Sequence, residues 1–343
     1  MLDADVEVDR REFTVRAALR VAAGERLALF GPSGAGKTTL LEVIAGLVPP
    51  RRGRVELSGR VLTSTEPPRR FVPPWQRRVG LLRQDPGLFP HLSVRDNLRY
   101  APGSDPSGRE LAQVAEALGL SGLLTARPVQ LSGGQAHRVA LGRLLLAHCD
   151  ALLLDEPYTG LDASLRRSLT ELVAGLVDER SVPTVLVAHE LAEAQAFAHR
   201  LAVLDHGGLL QIGAPDEVVL RPASRRVAEL VGYLGFVPAA GQPDTVAGVH
   251  PERVTGGAHP GRGLVLTGTV AACRPAGAGW EADLAVGAEM ITCWLPERLG
   301  QAGDQLVVTA VDPPWFGADG AALDAPQKSS VPPGTANPEQ VGR

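Results

Sequence analysis

Residues 31–39 constrain this chain more than any other stretch. They read Gly31, Pro32, Ser33, Gly34, Ala35, Gly36, Lys37, Thr38, Thr39, between an apolar run at 27–30 and a helical pattern over 37–47. The first eight fit G-x-x-x-x-G-K-[ST] in a strand-to-helix setting. A turn this rich in glycine lets backbone N–H groups close on the oxygens of an anion, and the helix N-terminus adds partial positive charge. In such a loop the lysine bridges phosphate oxygens and the threonine hydroxyl ligates Mg²⁺. Of the 34 basic residues only Lys37 and Lys328 are lysines, all others being arginine. A chain that uses arginine nearly everywhere and keeps a lysine at 37 needs a compact ammonium there, because the two side chains are not interchangeable.

The rest of the chain predicts the layer around that turn. Apolar runs of strand length at 79–82, 151–154 and 184–188 alternate with helical patterns such as 133–149. Continuous apolar strands belong to a sheet covered on both faces. The expectation is therefore an α/β fold around a mostly parallel sheet. After about residue 232 glycine and proline become dense. Short alternating runs at 264–270, 280–286, 290–295 and 305–311 predict a small all-β domain, with turns at Gly277 to Gly279 and at Gly287. Boundaries of 1–232, 233–316 and a disordered tail over 317–343 follow from these shifts. A net charge of −4 leaves no basic footprint for nucleic acid. No segment reaches the roughly 20 apolar residues of a spanning helix, and the acidic start lacks the order of a signal peptide, so a cytosolic setting is expected. Cys149, Cys273 and Cys293 are too scattered for a zinc site or a disulfide framework and are expected as small buried apolar residues.

Two further segments carry chemistry. The run 151–154 ends in Asp155 and Glu156. An acid at the end of a parallel strand can hold Mg²⁺, which assigns Asp155 to the metal beside Thr38, and Glu156 is placed to polarise an attacking water. Leu131 is followed by Ser132, Gly133, Gly134 and Gln135 at the start of a long helix. Glycines oppose helix formation; at this end they allow close backbone approach to an anion.

Here the chain resembles the ABC ATPase family over about residues 1–230, with the motifs in family order. The resemblance implies a P-loop NTPase fold with a helical signature subdomain, and ATP and Mg²⁺ as cofactors. It implies a homodimer in which Ser132, Gly133, Gly134 and Gln135 meet the γ-phosphate held by the partner copy. Gln84 matches the glutamine that senses Mg²⁺ and the transport partner, Asp162 the loop that crosses the dimer interface, and His189 the histidine at the γ-phosphate. Departures fall at Ala136–His137, Thr159–Gly160 and Arg83. The aromatic residue on which the family stacks adenine is absent near Asp9; Phe13 or Arg10 stands in reach.

The segment from Gly248 to Val254, with His250, Pro251, Glu252 and Arg253, resembles the entry to the OB-like TOBE regulatory barrel of ABC importers. That resemblance implies a peripheral subunit at the cytoplasmic face of the membrane. It would serve transmembrane permease subunits directly and a solute-binding protein indirectly, with no nucleic acid. Stretches 77–80, 84–91 and 94–100 look most like molybdate-import ATPases, with iron, sulfate, polyamine or sugar import as alternatives. A soluble, non-transport ABC ATPase is the rival class. The apolar Leu88, Phe89 and Pro90 are expected on an exposed loop that meets the permease.

Overall fold

Two strands buried at every position mark the covered part of the sheet in the first unit. The computed structural model describes residues 1–10, 13–100, 108–159, 161, 163–239, 242–259 and 261–325. Its elements run β1 (Leu2–Asp9), β2 (Thr14–Val21), β3 (Arg26–Phe30), α1 (Lys37–Ala45), β4 (Arg52–Leu57), β5 (Arg60–Ser64), β6 (Arg70–Phe71), α2 (Pro74–Arg77), β7 (Val79–Leu82), α3 (Val94–Arg99) and α4 (Gly108–Ala117). They continue α5 (Gly133–Leu146), β8 (Ala151–Asp155), α6 (Ala163–Arg180), β9 (Thr184–Val187), α7 (Leu191–Phe197), β10 (Arg200–Asp205), β11 (Gly208–Gly213), α8 (Pro215–Leu220) and α9 (Arg225–Leu230). One sheet has the order β6-β5-β4-β1-β2-β11-β10-β3-β9-β8-β7. From β10 to β7 its neighbours are parallel, and β8 and β9 are buried at every position. Strands of that kind need cover on both faces. At the other end β1, β2, β4, β5 and β6 pair antiparallel. There β1 and β2 alternate buried with more exposed residues, as a sheet with one solvated face does.

Helix α1 is expected over 37–47 and ends two residues sooner. Gly46 takes φ 82°, its N–H reaching Val43 O at 3.1 Å and that of Leu47 reaching Glu42 O at 2.8 Å. This left-handed closure stops the helix.

The chain divides after Val218 into two units. The second unit therefore starts earlier than residue 232, and local bonds give the reason. Tyr233 Oη donates to Val219 O at 2.9 Å, and Arg225 N donates to Gly320 O at 2.8 Å. Its strands are β12 (Gly235–Ala239), β13 (Gln242–Val249), β14 (Val254–Gly256), β15 (Gly263–Ala276), β16 (Gly279–Val286), β17 (Glu289–Leu295), β18 (Gln305–Val311), β19 (Trp315–Phe316) and β20 (Ala322–Leu323). They form the sheets β12-β13-β19-β20 and β14-β18-β15-β16-β17. Val237, Leu266, Leu284, Ile291, Leu295 and Val308 are among the side chains that make its core. Gly277 and Gly287 turn the hairpins with φ 57° and 62°. The expected tail starts as structure, since β20 pairs with β19 and Ala321 bridges Ser224; residues 326–343 lie outside the described residues. Cys293 is buried, but Cys149 and Cys273 are only partly so.

Candidate functional site

Strand register gathers the sequence-marked residues at one edge. Leu82 of β7 stands opposite Leu154 of β8, Asp155 opposite Val187 of β9, and Val187 opposite Leu29 of β3. The residues just beyond those strand ends are Gln84, Glu156, His189 and Gly31. They leave the sheet side by side at its carboxyl edge, where α/β folds bind ligands.

The loop from Gly31 to Gly36 has a backbone that only glycine permits at two points. Gly31 takes φ 149°, and a Cβ there would lie 2.0 Å from Leu204 O. Gly36 takes φ 100°, and a Cβ would lie 2.6 Å from Val15 Cγ2. The chain thus closes tightly over β2 and β10 before α1 begins. Lys37 is buried, and its Nζ donates to Gly31 O at 2.7 Å and Pro32 O at 2.9 Å. Burial lowers the pKa of its ammonium, and the charges of Glu156 and Asp155 oppose that shift. Thr38 Oγ1 donates to Asp155 Oδ1 at 3.2 Å. Burial raises the Asp155 carboxyl, the Thr38 hydrogen bond works against this, and Glu156 adds to it. A buried carboxylate beside a hydroxyl, with an ammonium close by, leaves charge for a cation and a polyanion to satisfy. Mg²⁺ is held by one or two carboxylates plus phosphate oxygens rather than by an all-protein cage. Among the described residues no cluster of three or more His, Cys, Asp or Glu forms such a cage. The donor set fits a Mg²⁺-nucleotide.

Glu156 sits at φ 49°, a left-handed backbone for a non-glycine residue. Thr159 Oγ1 donates to its Oε2 at 3.4 Å. Gln84 and His189 are exposed at the edge, and the His189 N–H donates to Glu193 Oε2 at 3.3 Å. Thr39 faces away from this group, its Oγ1 accepting from Arg10 Nε at 2.9 Å. Arg10 also reaches Glu42 at 3.1 Å, so its guanidinium is engaged, while Phe13 packs partly buried against the core beside Gly36.

Ser132 to Gln135 form a self-contained cap. Ser132 Oγ accepts from Gln135 N at 3.3 Å, and Gln135 Oε1 accepts from Ser132 N at 2.8 Å. This capping box starts α5 despite two glycines. A Cβ on Gly133 would meet nothing within 4 Å, so no packing within the chain calls for glycine there. Asp162 lies outside the described residues.

The loop after Gln84 differs from the expectation of full exposure. Leu88 and Phe89 are half-buried. Phe89 stacks on Tyr100 with centroids 4.1 Å apart and lies under the Arg143 guanidinium at 5.5 Å. Arg143 also donates to Pro86 O and Gly87 O, each at 3.1 Å. The loop forms one wall of a groove of about 710 Å³ that also meets Trp75, Leu144 and Cys149. Periodicity marked neither Arg143 nor Asn97 as loop anchors.

The fold is that of the ABC ATPases, and residues 15–159 match the family described as ABC transporter. An Fe(3+) ions import ATP-binding protein of Mesorhizobium japonicum is 41% identical over 225 residues, 65% of this chain and 62% of that protein. A molybdenum import ATP-binding protein of the same organism is 42% identical over 229 residues, 66% of this chain and 61% of that protein. Each match thus spans about three fifths of the curated relative's length. The dimeric, post-hydrolysis structure of an ATP-binding cassette bound to ADP and phosphate aligns with a TM-score of 0.53 at 26% identity. It covers 63% of this chain and 99% of that one. Among the described residues no helix is long and apolar enough to cross a membrane.

Proposed function

We propose that this chain is the ATP-hydrolysing subunit of an ABC importer, acting as a homodimer on permease subunits at the cytoplasmic face of the membrane. One observation carries the reading. The phosphate loop, Thr38, Asp155 and Glu156 make one half of a nucleotide site. The other anion-binding element, Ser132 to Gly134, is capped and open, with a glycine that nothing in its own chain requires. Two copies complete each other's sites, ATP joining them and hydrolysis releasing them. Within each site Lys37 neutralises phosphate charge, and Thr38 and Asp155 hold Mg²⁺ with Gln84 at hand. Glu156 orients and polarises water, and His189 steadies the γ-phosphate. Asp162 belongs to the seam between copies. The groove beside Phe89, with Trp75 81% exposed, suits docking of a permease segment. The solute is molybdate or a related oxyanion, on the strength of the stretches at 77–80, 84–91 and 94–100 and of similarity to a molybdenum import protein. The second unit is a TOBE-like barrel that tunes the motor, and nucleic acid is not a partner.

Glu156→Gln keeps shape and hydrogen bonding but removes the carboxylate. Turnover is expected to fall about 10²–10⁴-fold, and light scattering should find an ATP-dependent dimer that Ser132→Arg abolishes. Undiminished hydrolysis by Glu156→Gln overturns the assignment.

A further inference from the structure

Two arginines at places where the sequence departs from the ABC pattern, Arg83 and Arg10, meet on one carboxylate. Glu42 Oε1 accepts from Arg83 Nη2 at 3.4 Å, and Glu42 Oε2 accepts from Arg10 Nη2 at 3.1 Å. Arg10 also gives its Nε to Thr39 Oγ1 at 2.9 Å. Thr39 and Glu42, one turn apart on α1, thus hold that guanidinium at two points. Each oxygen of Glu42 is engaged by a different element, one by the residue after β1 and the other by the residue after β7.

Gln84 follows Arg83 and stands two residues past Leu82, the last ladder partner of β7. On its far side Arg143 donates to Pro86 O and Gly87 O. Gln84 is therefore strung between two arginine anchors. The later one ties its loop to α5, and the earlier one ties it to α1. On α1, Glu42 lies four residues after Thr38, one turn along the same face, and Thr38 bonds Asp155. The bond from Arg83 to Glu42 fixes the residue before Gln84 against the helix that carries Thr38. We propose that Arg83 and Glu42 are positioning residues that hold Gln84 in register with Thr38 for the Mg²⁺ of the bound nucleotide, and that Arg10 keeps Glu42 turned to Arg83. Arg83 and Glu42 act through Gln84 rather than on the metal. The inference rests on the proposed role of Gln84.

The test is binding of a non-hydrolysable ATP analogue to the full chain by calorimetry, once with Mg²⁺ and once with EDTA. The ratio of the two affinities reads the share that depends on metal. Arg83→Ala is expected to lower that ratio about threefold, the scale of an exposed ion pair, and to leave the affinity in EDTA at the parent value. Glu42→Ala should lower the ratio at least as far. The double variant should fall no further than Glu42→Ala, because two partners in one contact do not add. Arg83 meets Glu42 through one nitrogen, so Arg83→Lys keeps the charge and should recover most of the ratio. A parent ratio in Arg83→Ala, an equal loss with Mg²⁺ and with EDTA, additive losses, or an Arg83→Lys as low as Arg83→Ala each overturn the inference. Should Glu42→Ala not fold, the Arg83 variants still decide, since that side chain is 57% exposed. Gln84→Ala separates the two layers. A parent ratio there removes the metal role of Gln84 and this inference with it. A lowered ratio there, beside a parent ratio in Arg83→Ala, removes this inference alone.

Discussion

Arg77 shows how much a single residue can be asked to hold. Its side chain is wholly buried, with Nε donating to Val72 O at 2.7 Å, Nη1 to Val43 O and Ile44 O at 3.2 and 2.9 Å, and Nη2 to Thr63 Oγ1 at 2.8 Å. Val43 and Ile44 are at the end of α1, whose last carbonyls have no helical partners. A guanidinium there also sits well against the helix dipole. Burial lowers its pKa to about 10, which leaves it charged at neutral pH. Gly46 makes the approach possible, since a Cβ there would lie 2.2 Å from Arg77 Nε. Arg77→Met keeps the stem and removes the donor from four acceptors, of which Val43 O retains the Gly46 N–H. A loss of about 3 kcal/mol is expected, to be read from urea denaturation. Nothing in the run of arginines around 77 distinguishes this one, because only the packed fold puts it inside.

At the scale of elements, α3 is a clamp as much as a helix. Ser93 caps it by accepting from Asp96 N at 3.1 Å. Asn97, fully buried, accepts from Phe89 N at 2.9 Å and donates to Phe89 O, Leu92 O and Ser93 O at 3.2, 3.2 and 3.0 Å. One amide thus satisfies the turn that presents the groove face of 84–93. Asn97→Leu takes the side-chain partner from the Phe89 N–H and from Leu92 O, while Phe89 O and Ser93 O keep the N–H groups of Leu92 and residue 97; the cost is about 2 kcal/mol. Limited proteolysis should then cut faster within 84–93, whereas equal cleavage of variant and parent would show that the loop is held otherwise. The elements that frame the site were legible. The apolar runs at 79–82, 151–154 and 184–188 became β7, β8 and β9, and the glycine turns at 277 and 287 became hairpins. Strands β1, β2, β4, β5, β6, β10, β11, β12, β13, β14, β19 and β20 were not foreseen, because strands of mixed composition depend on the neighbours they pair with.

At the scale of the whole molecule, a nucleotide unit and a β unit share one chain, and the solute is where their purpose is tested. Uptake of labelled molybdate is expected to fall to background in cells lacking this gene and to return when the gene is restored. Normal molybdate uptake with loss of another solute's import would replace the solute and leave the ATPase reading intact.

What the sequence determined by itself is the chemistry that short range can encode. Glycine spacing around Lys37, an acid pair after four apolar residues, and a serine–glutamine pair three apart each specify a local backbone and its donors. Tertiary structure alone decided which of these meet. The edge that aligns Gly31, Gln84, Glu156 and His189 comes from the order β3-β9-β8-β7, and no local pattern states a strand order. Burial is likewise a property of the packed whole: Arg77 and Asn97 are ordinary polar residues in the chain. They acquire their roles only where water is excluded, because there an unpaired donor or acceptor can no longer turn to solvent.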